Sequence, residues 1–145
     1  MRTILKRIGL ILLIVAAVIF WGRWLLDLFG FIKYDVPLSQ DTRNIVQIDL
    51  LDTSGQEYVV LYSIVGDEIN SFLDDFMQLD AGRYANDPPT MFDDHTVRIC
   101  YADGGYDLLG GMVVFYSSTG ESLNTRGWYH LSASDIDDIF EKYLV

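Results

Sequence analysis

Residues 46–65 read VQIDLLDTSGQEYVVLYSIV, and this stretch decides the fold of the larger part of the chain. Val46, Ile48 and Leu50 alternate with Gln47 and Asp49, the two-residue period of a half-buried strand. Asp52, Thr53, Ser54 and Gly55 then supply turn chemistry, and Tyr58 to Val65 reads as the returning strand. A hairpin of this kind sets antiparallel pairing from the start, because a parallel partner would need a long crossover.

Reading outward from the hairpin, Ile69, Phe72, Leu73, Phe76 and Leu79 fall at helical spacing, with Asp67 placed to cap the helix and Gly82 to end it. Ala81 to Met91, with Pro88 and Pro89, reads as a loop. Val97, Ile99 and Tyr101 alternate with Arg98 and Cys100 as a third strand. The glycine-rich segment Asp103 to Gly111 separates it from a strand at Met112 to Tyr116, and a last strand covers Gly127 to Leu131. Ser132 followed by Asp135 writes a carboxylate form of the capping box, and Ile136, Ile139, Phe140, Tyr143 and Leu144 form the buried stripe of a C-terminal helix. The expected fold class is α+β, in the order ββαβββα: one antiparallel sheet of about five strands with two helices on one face.

The N-terminal part obeys other rules. Ile8 to Trp21 contains only apolar residues and Gly9, with Arg2, Lys6 and Arg7 before it and Arg23 after. Ile8 to Leu26 spans roughly 28 Å as a helix, close to the ~30 Å of a bilayer's hydrocarbon core. The ten Leu, Ile, Val and Phe residues between Ile8 and Phe20 favour insertion by about 3–6 kcal/mol in sum. A cleaved secretory signal is the competing reading, but Phe20, Trp21, Gly22, Arg23 and Trp24 stand where cleavage needs small residues. The expected organisation is a membrane anchor and interfacial segment over residues 1–33, with residues 8–26 in the bilayer, followed by a domain over 34–145. The excess of basic residues before the span predicts a cytoplasmic N-terminus and an extracytoplasmic domain.

That domain is strongly acidic. Its basic side chains are Arg43, Arg83, Arg98, Arg126 and Lys142, against 20 of the chain's 21 acids, a formal net charge of −15. Such a field excludes nucleic acid as a partner and attracts cationic proteins, while also serving plain solubility.

Catalytic motifs are lacking, and no cofactor is expected. Asp93, Asp94 and His95 are the only weak candidates for a metal, since carboxylate and imidazole suit divalent ions but adjacent residues rarely converge on one. Asp94 with His95 is also where a hydrolase site would have to lie, a remote reading without a nucleophile. Cys100 reads as a buried, inert thiol. Aromatics crowd the last strands, and Tyr101, Tyr106, Tyr116, Trp128 and Tyr129 either form an exposed binding platform or pack across strands. The expectation is therefore a membrane-anchored, non-catalytic binding or accessory module that meets an envelope protein. An inhibitor or immunity protein that neutralises a basic toxin or lytic enzyme is the alternative.

Overall fold

The computed structural model describes residues 2–29, 31–84, 93–123 and 129–145. The chain divides into two compact units, Met1–Ile32 and Lys33–Val145. The first holds a single helix, α1 (Arg2–Leu28), whose segment Ile4–Leu28 is 25 residues long and apolar enough to cross a membrane, with none of its apolar stretch buried. The absence of any proline or charge between Ile8 and Gly22 lets it run unbroken.

The second unit is α+β. Its elements are β1 (Tyr34–Asp35), β2 (Ile45–Asp52), β3 (Val59–Ile64), α2 (Glu68–Phe76), β4 (Asp80–Arg83), β5 (His95–Tyr101), β6 (Tyr106–Leu109), β7 (Val113–Tyr116), β8 (Tyr129–Leu131) and α3 (Ala133–Tyr143). All pairings among the described residues are antiparallel, and the 46–65 hairpin dictates this for β2 with β3. The strands form two sheets where one was expected. Five lie in the order β3-β2-β5-β6-β7, and three in the order β1-β4-β8.

The differences have local causes. Gly104 and Gly105 make a tight turn, Gly104 at φ +90°, and the four residues between the glycine pairs, Tyr106 to Leu109, are free to pair as β6. The glycine-rich segment thus contains a strand. Asp80 to Arg83 is a strand too, though residues 81–91 were expected to be a loop; residues 85–91 lie outside the described ones. Gly82 does not end a helix: a Cβ there would stand 2.5 Å from His130 Nε2 across the β4–β8 pair, so this glycine serves close packing. Of the strand expected at Gly127 to Leu131, residues 127 and 128 lie outside the described residues.

Both helices pack on one face of the larger sheet. Phe72, Phe76, Ile136 and Phe140 share a buried cluster with Ile48, Leu50, Val97 and Ile99. Neither helix has the expected side-chain cap: Asp67 is itself helical, and the Ser132 hydroxyl pairs with that of Ser134. A cap is worth ~1 kcal/mol. Burying one phenylalanine is worth about 2 kcal/mol, so the apolar stripes and not the caps hold these helices. Lys142 Nζ and Tyr143 OH both reach Asp75 at 2.6 Å and lock α3 to α2.

Candidate functional site

The face of the five-stranded sheet turned away from the helices carries Gln47, Asp49 and Leu51 on β2, Thr96, Arg98 and Cys100 on β5, and Tyr106 and Leu108 on β6, by strand parity with the core residues. At its centre Asp49 is fully buried. Arg98 donates from Nε at 3.0 Å and Nη2 at 2.6 Å to Asp49 Oδ2, while Ser63 Oγ at 2.6 Å and Gln47 Nε2 at 2.7 Å donate to Oδ1. Burial pushes this carboxyl up, but the bonds from Ser63, Arg98 and Gln47 outweigh it and hold the group below the usual carboxylate range. With its lone pairs so occupied, Asp49 is a structural anion. Cys100 is half-buried beside it, and burial followed by the Asp49 charge pushes the thiol up, away from the reactive thiolate.

The sequence-predicted aromatics separate. Tyr106 and Tyr116 oppose each other in register and stack at 4.8 Å and 20°. Burial raises the Tyr116 phenol, with further pushes from Tyr106 and Tyr58. Tyr101 cannot belong to an exposed platform: it shares the parity of Val97 and Ile99, is 2% exposed, and donates its hydroxyl to Asp107 at 2.5 Å inside the core. Asp107 also accepts from Ser39 N at 2.8 Å and Ser39 Oγ at 2.5 Å, and burial drives its carboxyl up. Tyr129 lies in the smaller sheet, edge to face with Tyr34 at 5.8 Å and beneath the Arg83 guanidinium at 5.7 Å. Trp128 lies outside the described residues.

Asp93, Asp94 and His95 line an open cavity of about 260 Å³ together with Ala133 and Asp137. His95 Nδ1 is 2.7 Å from Asp137 Oδ1, and its ring stacks on Phe140 at 4.5 Å. The Asp93 carboxylate instead packs against Gly111, where an added Cβ would meet it at 2.1 Å. Among the described residues no three His, Cys, Asp or Glu side chains are grouped to hold a metal ion. The meeting of Asp137 with His95, 42 positions earlier, is set by how α3 lies on β5 and has no local sequence signal.

The two edges of the larger sheet differ. β7 is closed by the following segment: Leu123 N donates to Phe115 O at 2.7 Å, Ser117 N to Glu121 O at 2.9 Å, and Tyr116 bridges Ser122. β3 is the other edge, and among the described residues no backbone bond reaches its outer side. Val59, Val60, Leu61 and Tyr62 are exposed by 54, 46, 41 and 39%. The whole stretch Tyr58 to Val65 is uncharged in a domain of net charge −15.

No family model matches the chain, and the comparisons with curated proteins and with solved structures give no match either.

Proposed function

We propose that the chain is a membrane-anchored, non-catalytic binding module whose domain faces outward and engages an envelope protein. The observation that carries this reading is the exposed, uncharged apolar edge at β3, set in a strongly acidic surface. Contiguous exposed apolar residues with a polar surround mark interaction sites on soluble domains. The stacked Tyr106–Tyr116 pair adds a rigid aromatic patch on the neighbouring sheet face.

The tether is α1. Its apolar length supports a retained anchor as well as a signal sequence, and the bulky Phe20, Trp21 and Trp24 favour the anchor. Arg2, Lys6 and Arg7 favour the cytoplasmic side for the N-terminus. An acidic domain on the outer side would be repelled by anionic headgroups and stand clear of the bilayer.

The test is a photoreactive residue placed at Val60 in the full-length chain expressed in its membrane. A discrete covalent adduct from Val60, absent when the group is at Ser134 on the exposed side of α3, is the expected result. No adduct from Val60, or full-length protein in the soluble fraction, refutes the reading. The charge of −15 also favours a narrower alternative, inhibition of a cationic lytic enzyme; protection from such an enzyme at low salt would select it.

A further inference from the structure

We propose that the outer edge of β3 is a strand-addition site that takes an extended apolar segment of a partner protein with lysine or arginine at its flanks. This rests on the binding-module reading and gives it a place and a partner chemistry.

The backbone makes the first part of the case. An edge strand presents every second residue's N–H and C=O outward, so six-residue β3 offers about six groups that find no backbone partner among the described residues. Edge strands are usually blunted by charge, proline or a bulge, and Tyr58 to Val65 contains neither charge nor proline. The one irregularity is a bulge: Leu50 pairs with Tyr62 and Leu51 with Val60, which leaves Leu61 without a counterpart on β2. Because Tyr62 stands opposite Leu50 and Val60 opposite Leu51, apolar side chains flank the edge on both faces of the sheet. An incoming strand would find a neighbour for each of its alternating side chains.

The occupant follows from what the other surfaces can supply. Lipid offers no partner for unpaired N–H and C=O groups, so burying this edge in hydrocarbon leaves them unsatisfied. A second copy would pair β3 with β3 antiparallel and bring Glu57 of one chain toward Asp67 and Glu68 of the other, between bodies of −15 each. Carboxylates stand at both ends of the strand, Glu57 before it and Asp67 and Glu68 after it. The Tyr62 hydroxyl donates to Glu68 Oε2 at 3.4 Å and keeps that charge beside the strand. Apolar centre and acidic ends are complementary to an apolar segment with basic ends, which the domain's field would also steer inward.

The experiment uses the full-length chain in lipid nanodiscs and a labelled probe peptide of alternating valine and threonine with lysines at both ends. The expected results are binding about tenfold tighter than for the same peptide with glutamates at its ends, new hydrogen-exchange protection over residues 59–64, and loss of both when alternate backbone amides of the peptide are methylated. Tyr62→Lys should abolish binding, and the methylated peptide gives the same answer on the unaltered protein should that variant misfold. Equal binding of the methylated peptide, protection confined to other segments, no preference for the cationic ends, or protection of β3 from self-association or from empty lipid overturns the proposal. If the probe fails while Val60 still yields an adduct, strand addition falls and the binding module stands; if both fail, both readings fall.

Discussion

Replacing Arg98 by Met should be among the most damaging single changes outside the apolar core, because it leaves the Asp49 carboxylate buried without its cation. Asp49 is fully buried, Arg98 is 31% exposed at its side chain, and two of the five bonds on the carboxylate come from the guanidinium, the others from Ser63, Gln47 and, at 3.9 Å, Cys100 Sγ. Removing one member of a buried ion pair costs 3–5 kcal/mol, and the partial exposure of Arg98 puts the expected loss at the lower end, about 3 kcal/mol. Ser63 is exposed and Gln47 only partly buried, so both can turn to water if the carboxylate is removed as well. The double variant Asp49→Val, Arg98→Met should therefore cost less than the sum of the single ones, with a coupling of about 2–3 kcal/mol. Urea unfolding of the chain in nanodiscs, followed by circular dichroism of the sheet, measures all three. The pH dependence supplies an independent sign. In the native chain the Asp49 carboxyl is held below its ordinary range, so its stabilisation is present at neutral pH and is lost as pH falls through the folded value. Without Arg98, burial dominates and the destabilisation eases as the pH falls. A loss below about 1 kcal/mol, or additive single and double variants, would refute the claim that this pair is the sheet's buried electrostatic tie.

Asp107→Asn should have the opposite character: burial pushes the native carboxyl up, so its stabilisation is full below the unfolded pKa and lost as pH rises through the folded one. Asparagine can accept from Ser39 N and Tyr101 OH and donate to Ser39 Oγ, so the variant should unfold within about 1 kcal/mol of the native chain at neutral pH and with a flatter pH profile. Asp75→Asn should lower the Tyr143 phenol from its present value of about 12, held up by burial and then by the Asp75 carboxylate; an ultraviolet tyrosine titration reads the change. Gly82→Ala should drive the His130 ring off its contact with Tyr84, at 4.6 Å, and cost about 1–3 kcal/mol in the same unfolding assay.

Elements with a strong local period were legible in the sequence. The hairpin of β2 and β3 appears within a few residues of its expected bounds, as does α3, because Ile136, Ile139 and Phe140 repeat at helical spacing over one uninterrupted stretch. Of the small sheet only β8 was legible, as the end of the strand expected at Gly127 to Leu131; β1 and β4 are two and four residues long, too short to show a period, and Gly82 reads locally as a terminator. Tyr101 is instructive because parity already contained its direction. It alternates with Arg98 and Cys100 in step with Val97 and Ile99, so a reading by strand face sends it to the core, whereas a reading by aromatic density sends it to the surface. The partnership of His95 with Asp137 and of Asp49 with Arg98 is set by helix placement and strand order, and both are non-local.

The β3 edge shows why the candidate site was harder to read than the fold. A nearly continuous apolar run of this length ordinarily marks a strand buried on both faces, and Tyr58 to Val65, interrupted only by Ser63, comes close to that pattern. Whether such a run lies in the middle of a sheet or on its rim depends on strand order, here β3-β2-β5 with nothing beyond β3 among the described residues. The chemistry of the run then changes meaning: residues that would stabilise a central strand become an exposed template for pairing. An unprotected template is an aggregation hazard unless copies are kept apart, and the surrounding carboxylates supply that separation at every approach of one domain to another. The same charge that blocks like copies attracts a cationic strand, so solubility and selectivity have one physical origin. Substituting Glu57, Asp67 and Glu68 together by their amides should weaken both at once, since it removes the repulsion between copies and the attraction for the basic ends of a partner.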